Sequence, residues 1–149
     1  MSTLAHNKRA TFDYQVLEEF EAGLKLTGPE VKAAKLGHIN MQGSFITILG
    51  NEAWLRKMHI SAYQKATAQQ INYSPEHDRK LLLKKKEISY LTGKSQEKGL
   101  TIIPVSVYTT RRLIKVKIAL VKPKKKFDKR QAIKKRDIDR EIARNLKNY

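Results

Sequence analysis

A chain of 149 residues has the length of one domain, enough for a single modest hydrophobic core and too little for two. Its 31 Lys and Arg against 14 Asp and Glu leave a net charge of +17, which suits a polyanion, whether nucleic acid or an anionic membrane surface, and is out of scale for a small neutral ligand. The lack of cysteine excludes a disulfide framework and thiolate metal ligation, and with no apolar run of signal-peptide or membrane-spanning length a soluble, cytoplasmic protein is expected.

Residues 1–10 are charged and lack an apolar pattern, so a flexible N-terminus is expected ahead of one domain over 11–121 and a basic tail over 122–149. From Thr11 to Leu26, the apolar Tyr14, Val16, Phe20, Ala22, Leu24 and Leu26 alternate with Gln15, Glu19, Glu21 and Lys25, the period of a strand with one buried face. Leu17 and Glu18 break that parity, which predicts a bulge beside them. Thr27 as N-cap, Pro29 in the first turn, Glu30 at the positive end and Gly37 as stop signal predict a helix over Glu30–Leu36. Ser44–Leu49 and Ala53–Ile60 flank Gly50-Asn51 and read as a hairpin carrying Trp54.

Tyr63–Pro75 is rich in Gln, Asn, Thr and Ser and is expected to be a loop. Pro75 then opens a stretch holding Leu81, Leu82, Leu83, Ile88 and Leu91, read as helical and closed by Gly93 and Gly99. Lys84–Lys86 interrupt its stripe, either snorkelling from one helix or marking where two meet. Leu100–Thr109 and Leu113–Val121 form a hairpin around Thr110-Arg111-Arg112, with Ile114, Val116, Ile118 and Leu120 inward and Lys115 and Lys117 outward. From Lys122 onward, twelve Lys and Arg against four Asp and Glu concentrate +8 of the net charge. Self-repulsion is expected to keep this tail disordered in the free protein. Against a polyanion, Asp128 near its start, Arg144 and Lys147 near its end, and the spacing of Ile138, Ile142 and Leu146 predict a helix over Asp128–Asn148, roughly 30 Å long.

The four histidines, His6, His38, His59 and His77, match no metal-ligand spacing. Of Glu18, Glu19 and Glu21, strand alternation puts only Glu19 and Glu21 on one face, which suits a solvated or RNA-facing edge better than paired-carboxylate chemistry. There is no GxxxxGK loop and no GxSxG elbow, so a protein that is not an enzyme, with neither cofactor nor metal, is expected. Several short strands with about three flanking helices suggest a mainly β fold, a small antiparallel β-barrel of the oligonucleotide-binding type. Such a barrel holds RNA through outer-face cations and some aromatics, here drawn from Tyr14, Phe20, Phe45, Trp54, Tyr90 and Tyr108.

Read in order, Asn7-Lys-Arg-Ala, Phe20-Glu-Ala-Gly, Leu26-Thr-Gly-Pro-Glu-Val-Lys, Met58-His-Ile, Arg79-Lys-Leu-Leu-Leu, Gly99-Leu-Thr-Ile-Ile-Pro, Lys115-Val-Lys-Ile-Ala and Asp128-Lys-Arg resemble the signature segments of the small protein B family, the SsrA-binding proteins. The series is collinear over nearly the whole chain. The resemblance implies an oligonucleotide-binding-type barrel that binds the transfer-RNA-like domain of transfer-messenger RNA (tmRNA, SsrA RNA). It further implies trans-translation: delivery of the alanylated RNA, and through it elongation factor Tu, to stalled 70S ribosomes for rescue and peptide tagging. Glu21, Leu82 and Lys115 match positions the family uses for that RNA, with Arg79, Lys80 and Lys117 beside them. Alternation independently puts Glu21 and Lys115 outside, whereas Leu82 also suits a core.

The resemblance also implies that Phe127, Asp128, Lys129, Arg130, Lys134, Lys135 and Arg136 serve the decoding centre and the vacant messenger channel, against 16S rRNA, where the tail is helical. Phe127 stands where the family commonly has His or Tyr, so stacking is kept and imidazole chemistry is not. Pro123 stands where many relatives carry Gly, which stiffens the expected hinge between barrel and tail. A monomer without membrane contact is expected. Two other readings share the charge: a different ribosome-associated or translation-initiation barrel, and a non-sequence-specific binder of single-stranded nucleic acid. Selectivity for a folded transfer-RNA-like structure separates them from the first.

Overall fold

In a computed structural model of the chain, residues 2–64, 72–124 and 126–147 are described, without the side chains of 11, 126–133 and 145–147. The elements are β1 (Ser2–His6), α1 (Ala10–Asp13), β2 (Tyr14–Leu24), α2 (Gly28–Lys35), β3 (Ile39–Asn40), β4 (Phe45–Leu49), β5 (Glu52–Arg56), β6 (His59–Ile60), β7 (Arg79–Leu82), α3 (Lys85–Ser95), β8 (Thr101–Thr110), β9 (Leu113–Pro123) and α4 (Lys126–Lys147). Seven strands form one antiparallel sheet in the order β1-β8-β9-β2-β7-β5-β4, and β3 pairs with β6 apart from it. The fold is therefore mainly β, flanked by α2, α3 and α4, with α1 a single turn.

The expected barrel is not closed. β4 packs across the core against β8, but β8 already pairs with β9 on one side and β1 on the other. β1 takes that edge of β8 along Ser106–Thr109, β4 pairs with β5 alone, and the sheet stays open between the edges β1 and β4. Ser2–His6, within the first ten residues expected to be flexible, supply that edge strand.

Two bulges decide which side chains face the core. In β2 the register against β9 steps between Val16 and Glu18, leaving Leu17 as the extra residue, 44% exposed. Each extra residue turns the following side chains to the other face. Tyr14 and Val16 consequently pack with Ala10, Ile103, Val105, Ala119 and Val121 on one face, while Phe20, Ala22 and Leu24 join the main core on the other. The single buried face expected for the even-numbered residues is thus two half-faces. A second step, between Pro104 and Ser106 of β8, does the same for Val105 and Val107 and accommodates a proline within a strand.

The stretch read as helical after Pro75 is a strand in its first part and a helix in its second. Arg79 to Leu82 form β7, paired with β2 on one side and β5 on the other, and the helix starts only at Lys85, with the Lys84 N–H donating to Glu87 Oε1 at 3.1 Å. Three consecutive leucines suit a helix and a strand alike. Burial of both Arg79 and Leu81, with Lys80 and Leu82 turned outward, is the period of a strand. Lys84–Lys86 are neither snorkelling residues of one helix nor a junction of two; they carry the chain from strand to helix.

The start of α2 holds a buried polar knot. Thr27 and Glu30 form a capping box, with Glu30 N–H to Thr27 Oγ1 at 3.4 Å and Thr27 N–H to Glu30 Oε1 at 3.0 Å. The other carboxylate oxygen of Glu30 lies 2.7 Å from Arg79 Nε and 2.9 Å from His77 Nε2. Arg79 also donates to the carbonyls of Met58 and Pro75 and to the Tyr73 hydroxyl. Burial by itself would raise the Glu30 carboxyl, but the Thr27 N–H, the Arg79 guanidinium and His77 together hold it below its ordinary value. Tyr73 donates to the Ile60 carbonyl at 2.8 Å, which ties one end of the Tyr63–Pro75 segment to the core; residues 65–71 of that segment lie outside the described residues.

Candidate nucleic-acid interface

Strand pairing assembles the outer face. Leu82 of β7 lies opposite Gly23 of β2, Gly23 opposite Lys115 of β9, and Lys115 opposite Tyr108 of β8. Directly paired residues share a face, so Leu82, Lys115 and Tyr108 point the same way along one row, with Glu21 and Lys117 paired in the next. A recess of about 420 Å³ opens here, lined by Glu21, Leu82, Leu83, Lys84, Glu87 and Lys115. Gly23 leaves it open, since a Cβ built there would stand 3.3 Å from Leu82 Cβ and 3.5 Å from its Cδ1.

Three of the residues singled out from sequence, Glu21, Leu82 and Lys115, therefore meet around one recess although they come from three strands. Leu82 is 56% exposed while Leu81 beside it is 1% exposed, so the ambiguity over Leu82 resolves against core packing. Among the described residues, neither Glu21 nor Lys115 takes part in an ion pair; Lys117 pairs with Glu19 at 3.5 Å, and Lys80 with Glu52 at 3.1 Å. The cationic Lys115 can meet a phosphate, and the exposed Glu21 can accept from base amines or ribose hydroxyls.

Arg79 does not belong to this surface. It is 1% exposed and its guanidinium is occupied by the Glu30 knot, so its assignment as an RNA contact is corrected to a structural one. Sequence could not separate it from Lys80, because only the parity of β7 sends one inward and the other out. Of the aromatic candidates, Tyr108 is buried at 6% exposure, Tyr14, Phe20, Phe45 and Trp54 are half-buried, and Tyr90 is 40% exposed with its hydroxyl donating to Glu18 at 2.7 Å. Tyr108, offered by the sequence as an RNA-facing aromatic, joins the site in a way the sequence did not show: its hydroxyl donates a short hydrogen bond to Glu21 Oε2. Burial, then that bond and the Glu21 charge, push its pKa up to about 12, so it remains a donor through the neutral range.

The second cationic surface is the tail. β9 runs on through Pro123, and the Lys124 N–H donates to the Asp13 carbonyl at 3.0 Å, so the chain leaves the sheet beside α1. Lys126–Lys147 then form one helix, where disorder is expected of the free tail. Lys134, Lys135 and Arg136 are exposed, and the Arg136 guanidinium sits 5.1 Å from the centroid of the Phe12 ring. Ile138 and Ile142 are 48% and 52% exposed on this helix. The side chains of Phe127, Asp128, Lys129 and Arg130 lie outside the described residues. Among the described residues no helix is long and apolar enough to cross a membrane.

Fold and site together define a small, basic, open-sheet protein that presents an acid and a base, without an ion pair between them, on one recess and carries a cationic helix. Comparison with known proteins gives the family. The profile of the SmpB protein family matches residues 4–148. Full-length relatives called SsrA-binding protein include those of Coprothermobacter proteolyticus, 48% identical over 148 residues (99% of this chain, 98% of the relative), and Caldicellulosiruptor saccharolyticus, 46% identical over 149 residues (100% and 93%). A solved chain described as "tmRNA-SmpB: a journey to the center of the bacterial ribosome" is similar with a TM-score of 0.70 and 36% identity, over 89% of this chain and 95% of that one. The chain belongs to the SmpB family.

Proposed function

We propose that this protein binds the transfer-RNA-like domain of tmRNA through the recess around Glu21, Leu82 and Lys115 and brings it to stalled ribosomes for trans-translation. Family membership over the full length supports this, and the convergence of those three side chains from β2, β7 and β9 carries it. The open sheet serves in the manner of an oligonucleotide-binding fold, its outer face meeting RNA by shape, with Lys80 and Lys117 adding charge at the margin. The protein acts as a cytoplasmic adaptor and not as an enzyme, its partners being tmRNA, the ribosome with its 16S rRNA, and elongation factor Tu through the alanylated RNA.

The tail is the second half of the adaptor. In solution its charge weakens this helix by self-repulsion, and in the vacant messenger channel phosphates relieve that repulsion, with Phe127, Asp128, Lys129 and Arg130 at the decoding centre and Lys134, Lys135 and Arg136 along the channel. Truncation after Lys126 tests the division of labour. Affinity for the transfer-RNA-like domain, measured by gel shift against excess single-stranded DNA, is expected to persist while tagging of a stalled nascent chain is lost. Proportionate loss of both, or equal affinity for the DNA competitor, refutes the proposal.

A further inference from the structure

The carboxylate of Glu21 has lysines on hand and does not use them. Lys117 stands directly opposite on β9, and Lys115 lines the same recess, yet the described residues contain no ion pair to Glu21. Lys117 is turned to Glu19 at 3.5 Å. What Glu21 has instead is the hydroxyl of Tyr108, reaching across from β8, the strand on the far side of β9. That ring is 6% exposed, so the donor arrives on a buried, fixed lever, whereas a lysine would arrive on a mobile four-carbon stem.

The choice of partner has an electrostatic consequence. An ion pair with Lys115 would cancel two of the charges that line the recess. A neutral phenol leaves the carboxylate its full charge, occupies one oxygen, and directs the other outward. We propose that Tyr108 is a positioning residue for RNA recognition: by holding Glu21 away from Lys115, it keeps the acid free to accept from the RNA and the base free to meet a phosphate. The inference rests on the recess being the RNA site.

The test is a double-mutant cycle of Tyr108→Phe and Glu21→Ala, with affinity for the transfer-RNA-like domain measured across a salt series. Tyr108→Phe keeps the ring and removes one oxygen. It is expected to weaken binding about fivefold to tenfold, the loss of one hydrogen bond. It should also flatten the slope of log K against log salt by about 0.7–0.9, because the released Glu21 captures Lys115 and removes one phosphate contact. In the Glu21→Ala background, Tyr108→Phe is expected to change neither affinity nor slope, which distinguishes positioning from general support of the sheet. Equal losses in the two backgrounds, or Tyr108→Phe binding like wild type while Glu21→Ala binds weakly, overturns the role of Tyr108 alone. Wild-type binding by both Glu21→Ala and Lys115→Ala overturns the recess as the RNA site, and with it the inference.

Discussion

Arg79→Met separates a structural arginine from an RNA contact. The side chain of Arg79 is 0% exposed and that of Glu30 1%, with Nε and Oε2 at 2.7 Å, so the substitution fills the space and leaves a buried carboxylate without its guanidinium. Breaking a buried pair from one side costs about 3–5 kcal/mol. The Pro75 carbonyl, now 2.8 Å from Arg79 Nη2, and the Met58 carbonyl lose their donor as well, which places the effect in the upper part of that range. In a domain of this size that is a fall in melting temperature of about 10–20 °C. Adding Glu30→Gln removes the orphaned charge while the amide oxygen still caps Thr27, so the double variant is expected to melt above Arg79→Met. Thermal and urea unfolding measure both, and RNA affinity is taken well below each midpoint, where Arg79→Met is expected to bind within about twofold of wild type. An unchanged midpoint with a tenfold loss of affinity would refute the reasoning and return Arg79 to the interface.

Acid should act on the same knot. Because the folded Glu30 carboxyl lies below its ordinary value of 4.5, its contribution to stability is present above that pH and is lost as pH falls through the lower folded value. Urea midpoints between about pH 6 and 3 are expected to fall at the acid end, and to fall less in the Arg79→Met, Glu30→Gln double variant; parallel curves would exclude Glu30 as a source. Gly23→Ala should spare the fold and damage the site. The three atoms nearest its Cβ all belong to Leu82, the closest being Leu82 Cβ at 3.3 Å, so β7 has to give slightly; stability is expected to fall by no more than about 1 kcal/mol while affinity drops at least about fivefold as the recess fills. Lys115→Ala is expected to lower the salt slope by about 0.7–0.9, the signature of one phosphate contact, and an unchanged slope would remove Lys115 from the backbone contacts.

The long strands β2, β8 and β9, the β4–β5 hairpin and the α2 cap were legible because their signals are local. Thr27 and Glu30 lie three residues apart, the Arg111-Arg112 turn follows one tight β-turn, and the Lys115–Lys117 alternation needs only the period of two. The bulge at Leu17 was legible for the same reason. What escaped was set by distant partners. Arg79-Lys-Leu-Leu-Leu is apolar enough for a helix, and only the pairing of Leu81 with Leu24 on one side and Ala53 on the other makes it a strand. Ser2–His6 are polar by composition and form a strand because β8 offers them an edge. The bond from Tyr108 to Glu21 spans 87 residues, and no local pattern announces a contact at that separation.

The bulges connect the part that sequence shows to the part it hides. Glu21 faces outward beside Lys117 only in the register that holds after Leu17. Tyr108 faces outward opposite Lys115 only in the register that holds after the step at Val105. Without either extra residue, Phe20 or Val107 could not point into the main core while Val16 or Ile103 packs on the opposite face beneath α1. One sheet can therefore bury both of its faces at the α1 end and present a charged row at the other. The two irregularities let a small chain combine a two-sided core with an open recognition face, and they bring Glu21 and Tyr108 onto that face together.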